Sequence, residues 1–243
     1  MTTKFHILTP AYNSELEIIN TLYSVAGQSY QNWEMTVIDD MCTDNTVAVI
    51  RDFAQRNRIE DKITVLSREE KYGEVRNTLD ICNRLDPDDV IVRLDAGDWL
   101  TDLGCLQILN MFYEEYDPAV VWTKHRWSFT DDNISGPIDP NVNIYDQPWR
   151  SSHLKTFRNK DFIGLNEQNF KDEVGDYIVI ACDQAIFLPM LERARRAQRP
   201  LIFIPAVLYH YNIDLDKPDL FTCDRSQKQK YSAEWVRSRG YIK

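Results

Sequence analysis

The first hundred residues alternate between short apolar runs and amphipathic helical patterns, and this alternation limits the folds open to the chain. The apolar runs predict strands with the sequences FHIL, MTVID, ITVL and VIVRLD, at residues 5–8, 35–39, 63–66 and 90–95. Between them, apolar residues recur at helical spacing after Ser14, after Asp44 and over residues 74–85. Ser14 and Glu17 have the S-x-x-E spacing of a capping box, which predicts the start of the first helix. Strands that alternate with helices predict an α/β fold with a mostly parallel central sheet and helices on both faces.

Polar loops follow three of the predicted strands, with the sequences TPAYN, DDMCTD and LDAGD. Because ligands of parallel α/β sheets bind beyond the carboxyl ends of the strands, we expect these loops to meet at one edge. Asp95, Asp98 and Asp102 gather in and just after the last of them. Carboxylates there can hold a divalent cation, or they can form turns and helix caps. These residues alone leave both interpretations open and favour the second.

The pattern becomes less regular after residue 100, without a linker or an internal repeat. It predicts helices over 103–115 and 183–197, strands in AVVWTKHRW and LIFIPAVLY, and a C-terminal helix. We therefore expect a single domain over residues 1–243, in which 1–100 form one half and 101–243 the other. The basic segment WRSSHLKTFRNK contains Arg150, Lys155 and Arg158, which either assist at a bound phosphate or form a solvated surface.

Charge and composition exclude several classes of function. The net charge of −10 argues against a dedicated nucleic-acid-binding protein, which normally has a basic surface. The glycines form neither a dinucleotide-binding fingerprint nor a P-loop. Five widely spaced cysteines predict reduced thiols in a cytoplasmic protein, and no apolar run is long enough to predict a transmembrane segment.

The ordered set ILTPAYN, VIDDMCTD, VRNTLD, RLDAGDWL, CDQAIFLPMLERA and LYHYN resembles the family 2 glycosyltransferases, which have the Rossmann-like GT-A fold. The resemblance covers most of the chain. It implies that residues 1–100 bind a nucleotide-sugar donor and that residues 101–243 bind the acceptor. The residues whose positions match the donor site of the family are Pro10, Ala11, Tyr12, Asp40, Arg76 and Asp95. Asp40 matches the family residue that accepts a hydrogen bond from the base, whereas its neighbour Asp39 is better explained as a turn or cap residue.

The same resemblance implies a divalent metal, Mn²⁺ or Mg²⁺, bound to the donor diphosphate. Asp98 matches the family aspartate that binds the metal, and His210 is a candidate further ligand. Typical members of the family have D-x-D-D where this chain has Asp95-Ala96-Gly97-Asp98, so one carboxylate is missing. Asp102 is more simply explained as an acidic residue at the start of the next helix.

Asp183 matches the catalytic base of the family, at the start of a helix, and Cys182 replaces the usual acidic partner. The resemblance thus predicts an inverting glycosyltransferase that moves a sugar from a nucleotide-diphosphate sugar, expected to be a UDP-sugar, to a hydroxyl of a glycan. One alternative is a phage-type enzyme that glycosylates a modified DNA base, although the acidity of the chain counts against nucleic acid as a partner. Another is a catalytically silent nucleotide-sugar-binding module. The sequence does not indicate an oligomeric state.

Overall fold

The computed structural model describes residues 2–127, 130, 133–212 and 223–243, and the strands within them form one eight-stranded sheet. The strands are β1 (Phe5–Ala11), β2 (Trp33–Asp39), β3 (Ile63–Ser67), β4 (Val90–Arg93), β5 (Trp99–Leu100), β6 (Val120–Trp127), β7 (Lys155–Arg158) and β8 (Leu201–Tyr211). The helices are α1 (Ile18–Ala26), α2 (Thr46–Asn57), α3 (Gly73–Cys82), α4 (Cys105–Tyr116), α5 (Asn159–Phe162), α6 (Cys182–Arg196) and α7 (Cys223–Arg239).

The strand order across the sheet is β3-β2-β1-β4-β7-β6-β8-β5. The first four strands of the order are mutually parallel, as are β6 and β8. Strand β7 runs antiparallel to both of its neighbours, β4 and β6, and β5 runs antiparallel to β8. The expected α/β fold with a mostly parallel sheet is therefore confirmed, with antiparallel strands in its second half.

Two apolar cores lie on opposite faces of this sheet because side chains alternate along each strand. In β1, Ile7 packs into the core beneath α1, α2 and α4, whereas the next residue, Leu8, packs into the core beneath α3, α5 and α6. The predicted helices on both faces are thus confirmed. Among the described residues, the structure has no helix with the length and apolarity that a bilayer crossing requires.

One local expectation from the sequence, the capping box, is wrong, and one of the two interpretations of the basic segment holds only in part. Helix α1 begins at Ile18 without a side-chain cap, because the Ser14 hydroxyl donates to the Tyr12 carbonyl instead. The basic segment is not a solvated surface throughout, since it contains strand β7 and buries Lys155 to 1% exposure. Asp102 accepts a hydrogen bond from the Gly104 amide in the turn before α4, but it is neither the N-cap nor a first-turn residue of that helix, so the capping interpretation is wrong in its position.

Asn159, which directly follows β7, connects this strand to the C-terminal end of α3. Its fully buried amide donates to the carbonyls of Cys82, Leu85 and Asp86, at and just beyond the end of α3. The Cys82 and Asp86 carbonyls also accept from backbone amides, so the side chain adds to the hydrogen bonds that hold the turn after α3.

We expect Asn159→Ala to lower the free energy of unfolding by about 1–3 kcal/mol, because the substitution removes a fully buried side chain together with the hydrogen bonds that it donates. Urea unfolding followed by circular dichroism measures the change. The matched variant Asn141→Ala, at an exposed position, should change stability by less than about 0.5 kcal/mol. Equal effects of the two variants would contradict this role for Asn159.

Candidate functional site

A cavity of about 370 Å³ lies beyond the carboxyl end of β4, against the N-terminus of α6. Asp95 and Asp183 both line it, so the structure brings together these two residues that the sequence singled out. The cavity is also lined by Glu74 on α3, by Val179, Ile180 and Cys182 before and at the start of α6, and by Arg225 and Gln229 on α7.

Two buried cations lie at the base of this cavity. Arg93, the last residue of β4, is paired in register with Lys155, the first residue of β7, and the two are 3% and 1% exposed. The guanidinium of Arg93 lies 2.6 Å from Oε1 of Glu74 and 3.5 Å from Oδ1 of Asp95. The ammonium of Lys155 donates to Oδ1 of Asp183. Each of the three carboxylates, those of Glu74, Asp95 and Asp183, thus contacts one of the two cations.

Asp183 lies in the first turn of α6, where the backbone dipole favours a negative charge. Burial alone would raise the pKa of its carboxyl, but the attraction and hydrogen bond of Lys155 lower that pKa well below the usual range. The side chain is 37% exposed, so it is accessible from the cavity. Asp183 is therefore an ionised carboxylate held in place by a buried lysine and open to a ligand.

Glu74 is a site residue that the sequence analysis missed. Burial raises the pKa of its carboxyl to about 7, against the opposing effect of Arg93, and the nearby charges of Asp95 and Asp183 raise it further. It also interacts with Cys182, the residue that stands where the family has an acid, and burial raises the pKa of that thiol. A carboxylate from α3 therefore occupies the space beside the cysteine. An acidic residue in the first turn of α3 was the only signal in the sequence.

Asp98 is buried, at 5% exposure, and both of its carboxylate oxygens accept a hydrogen bond. The hydroxyl of Tyr209 donates to Oδ2 at 2.5 Å, and the backbone amide of Asn212 donates to Oδ1 at 2.8 Å. Burial and the charge of Asp95 raise the pKa of this carboxyl well above its usual value. Asp98 thus joins the loop after β4 to the end of β8.

His210 follows Tyr209 in β8, and its ring lies flat on the indole of Trp99 with 3.9 Å between the ring centroids. The two residues are register partners in the β5–β8 pair. Because neighbouring side chains of a strand point to opposite faces, the contact of Tyr209 with Asp98 directs His210 to the other side. This geometry favours a structural role for His210 over metal binding.

Gly97 has a φ of +99°, a backbone conformation that side chains other than glycine rarely adopt. A Cβ atom at this position would lie 3.2 Å from Cβ of Glu17. The amide of Gly97 also donates to the hydroxyl of Thr21 at 2.9 Å. The missing carboxylate of the D-x-D-D pattern therefore coincides with a backbone conformation that requires glycine.

Asp40 and Asp39 both accept hydrogen bonds from the backbone. Asp40 is buried and accepts from the amides of Tyr72 and Gly73 at 2.9 and 3.0 Å, at the start of α3. Asp39 accepts from the amide of Cys42, as the turn interpretation predicts. Asp40 therefore stabilises α3, and only its remaining lone pairs are open to a ligand.

Pro10 and Ala11 form the end of β1, where the Pro10 carbonyl accepts from Ala96 and the Ala11 carbonyl accepts from Asp40. Tyr12 follows them with 53% of its surface exposed. The ammonium of Lys71 lies 3.7 Å from the centroid of the Tyr12 ring. Tyr12 thus offers an aromatic face to a ligand, on which a cation can also pack.

Arg76 is placed apart from the cavity of Asp183. It pairs with Glu70 at 3.1 Å and packs on the ring of Tyr72 at 3.5 Å. Together with Tyr72 and Tyr177 it lines a different cavity, of about 290 Å³. The structure therefore does not bring Arg76 beside Asp95 and Asp183.

The family model described as "Glycosyl transferase family 2" matches residues 6–176. The chain is 37% identical over 67 residues to the putative teichuronic acid biosynthesis glycosyltransferase TuaG of Bacillus subtilis, a match that covers 28% of this chain and 25% of TuaG. It is 36% identical over 74 residues to the Escherichia coli UDP-Glc:alpha-D-GlcNAc-diphosphoundecaprenol beta-1,3-glucosyltransferase WfgD, covering 30% of this chain and 27% of WfgD. These matches thus span about a quarter of each relative.

Two solved structures share the fold at low sequence identity. Residues 1–349 of Staphylococcus aureus TarS, in complex with UDP, give a TM-score of 0.66 at 18% identity, covering 98% of this chain and 65% of that one. The mannosyltransferase PcManGT from Pyrobaculum calidifontis, in complex with GDP-Man and Mn²⁺, gives a TM-score of 0.65 at 15% identity, covering 96% and 64%. These likenesses identify the central sheet and its helices as a GT-A-type arrangement.

We expect Gly97→Asp, which restores the D-x-D-D pattern, to lower the free energy of unfolding by about 1–3 kcal/mol, because a non-glycine residue is strained at this φ. Gly164→Asp is the matched control, since Gly164 has a φ of +74° but no atom within 4 Å of the place that a Cβ would occupy. If urea unfolding shows a greater loss of stability in Gly97→Asp than in Gly164→Asp, the difference reports the contact with Glu17. A variant as stable as the original protein would contradict the assigned strain.

We expect Lys155→Met to lower the free energy of unfolding by about 2–3 kcal/mol at pH 7. This loss is smaller than that expected for a fully buried ion pair, because Asp183 remains partly solvated. The ion pair stabilises the fold at pH values above the pKa of an unfolded aspartate, about 3.9. This contribution is lost as the pH falls below about 3.9 toward the lower pKa that Asp183 has in the folded protein. The stability difference between the two proteins should therefore narrow between pH 7 and pH 3. Lys160→Met, at a more exposed lysine, should show little effect at either pH. A difference that widens toward pH 3 would exclude this ion pair as its cause.

Proposed function

This chain belongs to glycosyl transferase family 2, and from that premise we propose that it transfers a sugar from a UDP-sugar to a hydroxyl of a glycan, with inversion at the anomeric carbon. The observation that carries the proposal is the ionised Asp183 carboxylate, held by Lys155 and facing the same cavity as Asp95. We also keep the prediction of a cytoplasmic protein, with which the free thiols of the four described cysteines agree.

In the proposed reaction, Asp183 accepts the proton of the acceptor hydroxyl while the oxygen of that hydroxyl attacks the anomeric carbon. The bond from that carbon to the diphosphate oxygen breaks on the opposite side, which inverts the configuration. Lys155 occupies one oxygen of Asp183, so it fixes the orientation of the carboxylate and leaves the other oxygen for the acceptor. Lys155 therefore acts as a positioning residue.

For the donor, we propose that the base stacks on the exposed ring of Tyr12 and that Asp40 accepts a hydrogen bond from the base through its remaining lone pairs. Pro10 and Ala11 supply the backbone beneath the nucleoside, and Asp95 lies near the ribose. The related structure of TarS was solved with UDP, which supports UDP as the nucleotide of the donor. Arg76 stays a predicted donor-binding residue, since it packs on Tyr72, whose amide donates to Asp40.

The described residues contain no group of three or more His, Cys, Asp or Glu side chains that could by themselves hold a metal ion. Asp98 and Asp95 are nevertheless hard oxygen donors beside each other, and each oxygen of Asp98 retains a free lone pair. These residues fit Mn²⁺ or Mg²⁺ if the donor diphosphate and water complete the coordination. Such an ion, when bound, supplies positive charge that stabilises the leaving diphosphate.

We expect UDP to raise the thermal stability of the protein more than GDP, CDP or ADP, and Mn²⁺ to increase the effect. A ligand at a hundredfold excess over its Kd adds about 2.7 kcal/mol when it binds only the folded state. Tyr12→Ala should weaken the shift with or without metal, whereas Asp98→Ala should remove only the increase caused by Mn²⁺. Asp61→Asn, at an exposed position, is the surface control.

Turnover is tested separately by donor hydrolysis and transfer with Asp183→Asn, which should keep UDP binding and reduce the rate by about 10²–10⁴-fold. No stabilisation by any nucleotide, with metal present, would contradict the proposed function. Nucleotide binding with no turnover in the unaltered protein would identify a silent binding module instead. Sugar transfer that requires DNA would favour a modified DNA base as the acceptor.

A further inference from the structure

A second cavity, of about 380 Å³, lies between the segment 172–180 and the helix α7. The residues of α7 that line it include Asp224, Lys228, Tyr231 and Trp235, at intervals of four, three and four. This spacing places them on one face of the helix. The cavity is therefore a groove with one helical wall and one wall formed by the chain before α6.

This groove adjoins the cavity of Asp183. Val179 and Ile180 line both, and the chain continues from them to Asp183 at the start of α6. On α7, Arg225 and Gln229 line the cavity of Asp183 and lie beside the groove-facing residues. A ligand with one end at Asp183 therefore lies next to the groove, on the side where α7 lines both cavities.

The wall formed by α7 is fixed to the rest of the protein at its C-terminal end. Val236 is fully buried, and Arg237 donates to the carbonyls of Tyr145 and Gln147 at 2.8 Å. The indole of Trp235 also donates to the Lys171 carbonyl. The groove is thus built from anchored elements.

The chemistry of the groove suits a carbohydrate. It presents the aromatic rings of Tyr177, Tyr231 and Trp235, and Tyr231 is 59% exposed. Aromatic faces pack on the C–H face of a sugar ring, while carboxylates accept hydrogen bonds from its hydroxyls. Glu173 already accepts a hydrogen bond from the hydroxyl of Tyr231, at 2.8 Å.

The charge of the groove limits which carbohydrate it accepts. Asp172, Glu173 and Asp224 are acidic, whereas Lys228 is the one basic residue among the described lining residues and pairs with Asp224 at 2.8 Å. The excess negative charge repels phosphate and carboxylate groups. An uncharged glycan therefore fits this surface better than an anionic one.

We propose that this groove binds the sugar units of an uncharged glycan acceptor that lie next to the unit at Asp183. The inference rests on the proposed function, because it takes Asp183 as the point where the acceptor hydroxyl reacts. It identifies the acceptor as an oligosaccharide and assigns its recognition to Tyr231, Trp235 and Glu173.

The test is binding of the nucleotide-loaded protein to an array of neutral, carboxylated and phosphorylated oligosaccharides. Neutral oligosaccharides of two or more units should bind best. Tyr231→Ala should weaken that binding roughly threefold to tenfold, the contribution of one aromatic contact, whereas Tyr231→Phe should retain most of it. Tyr116→Ala, at an exposed tyrosine on α4, is the matched control and should bind as the original protein does.

Stabilisation by UDP should be the same in all three variants, so failure of the nucleotide site and failure of the groove are distinguishable. Preferred binding to anionic oligosaccharides would overturn the proposal. So would equal losses in Tyr231→Ala and Tyr116→Ala, or no oligosaccharide binding by a protein that UDP stabilises.

Discussion

Arg93 and Lys155 face each other across the β4–β7 pair, and the arrangement of the site depends on how this opposition of like charges is balanced. Two cations directly opposite each other on neighbouring strands repel, and burial removes the water that would screen them. The compensation comes from carboxylates outside the two strands: Glu74 from α3, Asp95 from the loop after β4 and Asp183 from α6. Satisfying the two cations therefore brings a helix, a loop and a second helix to one point.

The regular part of the fold could be predicted from the sequence, because short local patterns are enough to identify the strands and helices of the first hundred residues. The apolar runs of β1 to β4 and the helical spacing between them need no knowledge of distant partners. The rule that ligands bind at the carboxyl ends of strands then placed Asp95 correctly at a cavity. Strand β7 escaped prediction because Lys155-Thr-Phe-Arg158 has no apolar run, and its pairing with β4 depends on residues far away in the chain.

Side-chain partners were the least predictable part of the site. Asp40 and Asp39 are neighbours with the same chemistry, and only the position of α3 determines that Asp40 accepts from Tyr72 and Gly73. Similarly, Tyr209 and His210 are both polar aromatic residues after an apolar run, and the pleat of β8 determines which one contacts Asp98. Such choices depend on strand register and helix position, which the residues near them in sequence do not specify.

The glycine of the sequence Asp95-Ala96-Gly97-Asp98 has a consequence for engineering this loop. Its positive φ, its hydrogen bond to Thr21 and its close approach to Glu17 are mutually consistent, so the surrounding structure has adapted to the absence of a side chain. An aspartate introduced at position 97 alone would carry this strain before it gained any ligand for a cation. Engineering a second carboxylate into this loop therefore calls for a companion change at position 17, where the contact lies.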